Sequence, residues 1–297
     1  MVGFIGLGIM GKPIVKNLLK AGIAVRVNDL VKSSVDEVAL LGAIPSSQAE
    51  IGGSCDVIFT ILPNGEIVQS VLFGKNGAAP AIKPGTLVVD MSSVTPAESR
   101  LCAGKLAGFG AAFLDAPVSG GEPGAIAGTL SFMVGGSEEA FRRALPYFNI
   151  MGTSATLVGP VGSGSITKLA NQIIVNLGIA AVSEALVLAA KAGADPERVF
   201  QAIRGGLAGS AVLEAKVPMM YSRDFKPGGK ISINHKDIKN VMAAAHALDV
   251  PLPLSAQLYE ILQSLMIHGC ADMDHSAIVR YFEELAMTVV QKKSEED

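Results

Sequence analysis

The segment Val2-Gly3-Phe4-Ile5-Gly6-Leu7-Gly8-Ile9-Met10-Gly11 constrains the fold more than any other stretch of the chain. A short apolar run leads into Gly6, and Gly6, Gly8 and Gly11 form G-x-G-x-x-G ahead of a helical pattern over Pro13–Ala21 that ends at Gly22. In that context the spacing has a mechanical meaning. Gly6 permits a tight turn, Gly8 lets backbone amides approach a pyrophosphate without a Cβ in the way, and Gly11 lets the helix pack closely on the strand. The helix N-terminus then favours the phosphate charge. Leu7, Ile9 and Met10 occupy the intervening positions, Met10 being expected to pack near the cofactor. A second apolar run, Ala24–Asn28, leads to Asp29. A carboxylate there accepts hydrogen bonds from an adenosine ribose and repels a 2′-phosphate, which favours NAD (as NADH) over NADPH. Outside that context Asp29 reads as a cap or turn residue, and Lys32 softens the preference.

The rest of the first half keeps the same rhythm. Val57–Leu62, Leu87–Asp90, Phe113–Ala116 and Ser131–Val134 read as further strands, with amphipathic segments between the early ones. Such alternation predicts a parallel sheet covered on both faces. The pattern changes at Gly159-Pro160-Val161-Gly162-Ser163-Gly164. Beyond it come helical patterns over Ser165–Ala192, Pro196–Arg204, His235–Leu248, Leu254–His268 and Ser276–Lys292, and Asp195-Pro196 places a cap ahead of a first-turn proline. The expectation is an α/β chain: a dinucleotide-binding Rossmann domain over 1–160 and an all-helical domain over 161–297.

Composition sets outer bounds. With 49% apolar and 17% charged residues in 297, a large core forms and disorder is excluded. A net charge of -3 without a basic run argues against nucleic acid and anionic membranes as partners. Ile173–Ala190 is strongly apolar, yet Asn176, Ser183 and Glu184 interrupt it, so it is expected to be a buried helix and not a membrane span. Three scattered cysteines, none in a CxxC pair, suit a reducing cytoplasm. The glycine-rich start lacks the basic region of a signal peptide, and the acidic end Ser294–Asp297 reads as a solvated tail.

Chemistry-bearing residues cluster near the change of pattern. Lys168 lies near the start of a long apolar helix, where it is expected to face a cleft between the domains. Partial desolvation or a neighbouring cation lowers an ammonium pKa toward working pH, as an acid/base group requires. The alternative is an ordinary lysine with its stem along an apolar surface. Asn171 and Gln172, three and four residues on, share that helix face. Either amide suits a substrate hydroxyl or carbonyl, or else stabilises the helix from within. The turn Ser119-Gly120-Gly121 offers backbone amides and a hydroxyl to an anion, although such loops are more often structural. His268, Cys270, Asp272, Asp274 and His275 fit no zinc spacing, and Asp272 or Asp274 suits a helix cap, so no metal is expected. Neither G-x-S-x-G nor HExxH occurs.

Five segments resemble the β-hydroxyacid dehydrogenases, relatives of 6-phosphogluconate dehydrogenase. They are Gly3–Gly11, Asp115-Ala116-Pro117-Val118-Ser119-Gly120-Gly121, Gly164-Ser165-Ile166-Thr167-Lys168-Leu169-Ala170-Asn171-Gln172, Phe225-Lys226-Pro227-Gly228 and Lys236-Asp237, in family order over nearly the whole chain. The resemblance implies a general acid/base role for Lys168, a substrate-carboxylate site at Ser119, Gly120 and Gly121, and substrate contacts from Asn171, favoured over Gln172, where many family members carry asparagine. It implies cofactor contacts from Leu62, Pro63, Asn64, Ser93 and Lys236. It implies NADH-dependent, reversible reduction of a small semialdehyde acid, foremost tartronate semialdehyde to glycerate, in a homodimer or homotetramer. A 3-hydroxyisobutyrate, glyoxylate or succinic semialdehyde enzyme is the alternative on the same scaffold, and a silent NAD-binding sensor the non-enzymatic one.

Overall fold

The structure, a computed structural model, describes residues 1–292; Ser294–Asp297 lie outside them. The chain divides into two compact units, Met1–Lys168 and a second beginning at Leu169.

In the first unit the elements run β1 (Val2–Ile5), α1 (Gly11–Lys20), β2 (Val25–Asn28), α2 (Lys32–Ala39), β3 (Ile44–Pro45), α3 (Gln48–Ser54), β4 (Val57–Thr60), α4 (Gly65–Phe73), β5 (Leu87–Asp90), α5 (Pro96–Ala107), β6 (Ala112–Asp115), β7 (Val118–Ser119), α6 (Gly121–Ala127), β8 (Leu130–Gly135), α7 (Glu138–Met151), β9 (Gly152–Gly159) and α8 (Ser163–Lys191), which continues past Lys168. Strands β3-β2-β1-β4-β5-β6 are neighbours in that order and all parallel. Every residue of β1, β4 and β5 is buried, as the centre of a sheet covered on both faces demands. Alternate side chains go to opposite faces. Phe4, Val57, Phe59, Leu87, Val89 and Leu114 join one core with Ile14, Leu18 and Phe148, whereas Ile5, Ile58, Val88 and Phe113 join the other with Ile51, Leu72 and Leu106. Truncating one of the buried phenylalanines costs about 3–5 kcal/mol.

The sheet is not parallel throughout, which corrects the sequence expectation. β8 runs antiparallel to β6 and β7, and β9 pairs parallel with β8. The pairs Asp115–Gly135, Val118–Phe132 and Ser119–Ser131 keep a single register. β6 and β7 are therefore one strand interrupted at Ala116-Pro117, and α6 sits in the loop of a hairpin. A parallel crossover needs a dozen or more residues. The stretch between Ser119 and Leu130 is shorter than that, so the chain returns antiparallel.

The second unit continues α8 and adds α9 (Pro196–Ile203), α10 (Ala211–Ser222), α11 (Ile231–His246), α12 (Pro253–Ile267), a 3-10 turn (His275–Ile278) and α13 (Val279–Ala286). Leu213, Val217, Met220, Ile238, Val241, Leu258, Leu262 and Ile278 form its core. α8 departs from expectation. It is long and apolar enough to cross a membrane, and only 33% of its most apolar window is buried. Of the polar residues that interrupt the pattern, Asn176 and Ser183 are buried and Glu184 is exposed. Asn176 Nδ2 donates to the Gln172 carbonyl at 2.9 Å and Ser183 Oγ to the Ile179 carbonyl at 2.7 Å, so each is satisfied one turn back. Ile174 and Leu188 are instead 71% and 73% exposed. The helix expected over Ser276–Lys292 stops at Met287, which has φ 49°. Buried Glu283 accepts from Arg223 and from the Val290 amide at 2.7 Å, which draws the chain out of the helix.

Candidate active site

The three glycines of the first turn have different reasons to be glycine. A Cβ on Gly6, where φ is +105°, would lie 2.2 Å from the Ile61 carbonyl oxygen, and one on Gly11 would lie 1.9 Å from the Gly6 carbonyl oxygen. Those two are demanded by the chain itself. A Cβ on Gly8 would meet nothing within 4 Å, and its φ lies outside the left-handed region. Nothing in the protein asks for glycine there, so the backbone at Gly8 is open to the approach of a ligand. Beside Gly8, α1 starts without a side-chain cap or an acidic first-turn residue, whereas α3, α4, α5 and α7 are capped by Ser47, Asn64, Thr95 and Ser137. An uncapped start next to an open glycine suits an anion. Ile9 is exposed and Met10 half-buried, packed against the core. Asp29, at the end of β2, accepts the Leu7 amide at 2.5 Å and the Val31 amide at 2.7 Å. It braces the glycine turn and lies next to it.

The carboxyl ends of β4 and β5 are tied by a buried network. Asp90 accepts from Thr60 Oγ1 at 2.7 Å and from the Ser92 hydroxyl at 2.5 Å, and Ser92 Oγ accepts the Leu62 amide at 2.9 Å. Burial pushes the Asp90 carboxyl up, against the bonds from Ser92 and Thr60. Ser92, the neighbour of the predicted Ser93, fixes the loop Leu62-Pro63-Asn64. Asn64 is the N-cap of α4, accepting the Ile67 amide at 2.9 Å, while Pro63 is exposed and Leu62 and Ser93 half-buried.

At the end of β6, Asp115 accepts the Gly162 amide at 2.8 Å and the Ser165 amide at 2.7 Å. Burial raises its pKa despite those bonds. Half-buried Lys168 lies three residues beyond Ser165 on α8. Ser119 ends β7, Gly120 has φ +127° as the N-cap of α6, and Gly121 has φ +60°. Side chains other than glycine are strained at both positions.

In the second unit, Asn171 Nδ2 donates to Gln172 Oε1 at 3.0 Å, and Gln172 Nε2 donates to Asp237 Oδ2 at 2.6 Å. Lys236 Nζ pairs with Asp237 Oδ1 at 2.9 Å. The structure thus joins three sequence candidates through Asp237, which is buried. Gln172 is buried with both ends of its amide engaged, and Asn171 is the half-exposed member. Asp274 accepts from Lys216 at 2.9 Å, from the amides of Gly228 and Gly229 at 3.0 Å, and from the Ser276 amide at 2.9 Å, where it caps the 3-10 turn. Asp272 pairs with Lys230 at 2.8 Å. Among the described residues no three His, Cys, Asp or Glu side chains are grouped to hold a metal.

Residues 1–159 match the family described as the NAD binding domain of 6-phosphogluconate dehydrogenase, and residues 162–282 match that described as the NAD-binding of NADP-dependent 3-hydroxyisobutyrate dehydrogenase. The 2-hydroxy-3-oxopropionate reductase of Escherichia coli strain K12 is 46% identical over 96% of this chain and 98% of its own. The chain belongs to the β-hydroxyacid dehydrogenase family. The 2-(hydroxymethyl)glutarate dehydrogenase of Eubacterium barkeri is 38% identical over 96% of this chain and 95% of its own. The 3-hydroxyisobutyrate dehydrogenase of Mycobacterium tuberculosis, solved with L-serine, superposes with a TM-score of 0.87 at 32% identity, covering 95% of this chain and 98% of that one.

As a β-hydroxyacid dehydrogenase the chain is an oxidoreductase that binds a nicotinamide dinucleotide. The open glycine, the uncapped start of α1 and the carboxylate at the end of β2 fit the pyrophosphate and ribose of that cofactor. Motif spacing located the turn. It gave no signal for Thr60, Asp90 or Ser92, whose partners across the two strand ends are 30 residues distant, and Asp237 entered only as the second residue of the Lys236-Asp237 segment.

Proposed function

We propose that this dehydrogenase catalyses the reversible, NADH-linked reduction of tartronate semialdehyde (2-hydroxy-3-oxopropanoate) to glycerate. The observation that carries the reading is the near-full-length similarity, at 46% identity, to a reductase named for that substrate. NADH, when bound, supplies the hydride. The remaining work falls to side chains. Ser119 and the amides of Gly120 and Gly121 hold the substrate carboxylate. Lys168 Nζ gives a proton to the carbonyl oxygen as the alcohol forms and takes it back in the reverse direction. Asn171 donates an amide hydrogen bond to the substrate, since Gln172 is committed to Asp237. Gly6–Gly11, Leu62–Asn64, Ser93 and Lys236 line the cofactor. Asp29 favours NADH because a 2′-phosphate would meet its carboxylate.

The exposed apolar residues Ile174 and Leu188 on α8 support a homodimer or homotetramer that covers them. Three buried free thiols agree with a cytoplasmic enzyme. A second reading, 3-hydroxyisobutyrate oxidation, is favoured by the match over residues 162–282. Steady-state rates on tartronate, succinic and methylmalonate semialdehydes and glyoxylate, each with NADH and NADPH, test the proposal. The highest kcat/KM is expected for tartronate semialdehyde with NADH. A higher value for another acid, or for NADPH, overturns the corresponding part.

A further inference from the structure

α8 starts in an unusual way. Gly162, which has φ +95°, precedes Ser163 and brings no side chain to cap the helix. The cap comes from the sheet. Asp115, 1% exposed at the end of β6, accepts the Gly162 amide with Oδ1 and the Ser165 amide with Oδ2. The Ser165 hydroxyl adds to the hold and lies 2.8 Å from that of Ser99. Two glycines make the approach possible. A Cβ on Gly135, the residue paired with Asp115, would lie 2.5 Å from Asp115 Oδ1, and one on Gly164 would lie 2.3 Å from the Asp115 carbonyl oxygen. Two strand ends and a helix start are thus in backbone contact, with a buried carboxylate at the joint.

The joint connects two parts of the site. Ser119 lies four residues beyond Asp115 on the same interrupted strand, and Lys168 lies three beyond Ser165, about one helical turn away. From the carboxylate turn to the lysine the path is four residues of strand, one charged hydrogen bond and one turn of helix, all within Met1–Lys168. A hydroxy or semialdehyde acid is measured by the span from its carboxylate to its reacting oxygen, and each methylene lengthens that span.

We infer that Asp115 is a positioning residue that fixes the distance between the carboxylate turn at Ser119–Gly121 and Lys168, and thereby sets the chain length of the acid the enzyme accepts. The inference rests on the roles proposed above for Ser119–Gly121 and Lys168. Asp115→Asn keeps the volume of the side chain but turns an amide N–H toward an N–H donor and removes the charge. The readout is the ratio of kcat/KM for the acid turned over best to that for its homologue one methylene longer. A single methylene is typically worth about 10–200-fold in such a ratio. Asp115→Asn is expected to cut it about tenfold and to lower kcat, with the Kd for NADH within about twofold of wild type. Ser165→Ala keeps the backbone amide and loses only the hydroxyl. It is expected to move the ratio the same way by about threefold, and it carries the test if Asp115→Asn does not fold. An unchanged ratio in a folded variant overturns the inference, and so does a loss that falls equally on both acids and on NADH affinity, which marks a merely structural role. Lys168→Ala in the same assay separates the two claims. Near-wild-type turnover there removes the acid/base reading, whereas an inactive Lys168→Ala beside an unmoved ratio in Asp115→Asn removes only the role of Asp115.

Discussion

Replacing Gly8 by alanine separates what the glycine turn does for the fold from what it does for the cofactor. The new Cβ meets no protein atom within 4 Å, and the backbone there is not left-handed. The apo protein has nothing to lose, and the reduced freedom of the unfolded chain stabilises it by about 0.4–1 kcal/mol. In a unit of this size that raises Tm by roughly 1–4 °C. In the proposed cofactor site the same methyl stands where the pyrophosphate approaches the backbone. Its displacement is expected to weaken NADH about 10–100-fold, or ~1.4–2.7 kcal/mol. Gly11→Ala is the opposite case. Its Cβ would lie 1.9 Å from the Gly6 carbonyl oxygen and 3.2 Å from Ile61 Cγ2, so helix and strand must separate. Overpacking of that kind costs about 1–3 kcal/mol and lowers Tm before any ligand is added. Thermal melts of the apo variants, with NADH titrations followed by fluorescence, read both effects. If Gly8→Ala binds NADH as wild type does, or melts as low as Gly11→Ala, the assignment of Gly8 to the cofactor is wrong.

Asp29→Ser is expected to raise the NADPH/NADH ratio of kcat/KM by at least about tenfold, and to weaken both cofactors because the Leu7 amide loses its acceptor; a wild type that already prefers NADPH refutes this. Gln172→Asn shortens the side chain by one methylene and pulls its amide off Asp237, costing about 1.5–3 kcal/mol in urea unfolding, and an unchanged midpoint would show that the link carries no weight. For Asp274, burial raises the carboxyl, but the positive field of His275, the Lys216 bond and the Ser276 amide outweigh it and hold the pKa below the ordinary 3.8. A depressed carboxylate stabilises the fold above that value and loses the contribution as pH falls through its folded pKa. The stability gap between wild type and Asp274→Asn should therefore shrink as pH falls below about 4; a gap that widens in that range contradicts this ordering.

Local pattern carried the first unit well because its information is local. β1 is four consecutive buried residues ending at a glycine the chain cannot replace, and β5 likewise is continuous apolar sequence up to Asp90. The turn back between Ser119 and Leu130 was not legible, because hairpin and crossover begin with the same kind of strand and only the shortness of that span decides between them. Helix α10 was hidden by Pro218 in its interior and by the glycines before Ser210, which caps it through the Leu213 amide. The burial of α8 was misjudged because Asn176 and Ser183 satisfy themselves within the helix, and their polarity says nothing of which face is covered. At the candidate site, Asp29 follows from its place after the glycine turn and the second strand, whereas the role of Lys168 is what the family resemblance implies. Asp115 was read only as the opening of a motif. Its partners, 47 and 50 residues on, become neighbours when β6 meets the start of α8.

Single-turnover hydride transfer with Lys168→Ala tests the central claim most directly, because it isolates the chemical step from product release. General acid/base groups contribute about 10²–10⁴-fold, so transfer from bound NADH to the semialdehyde should slow by at least about a hundredfold. NADH affinity should hold, since the proposed pyrophosphate seat is at Gly6–Gly11, and Lys168→Arg should not recover the rate, since a guanidinium stays protonated. A folded Lys168→Ala enzyme that binds NADH and transfers hydride at close to the wild-type rate would contradict the account and turn attention to Lys236.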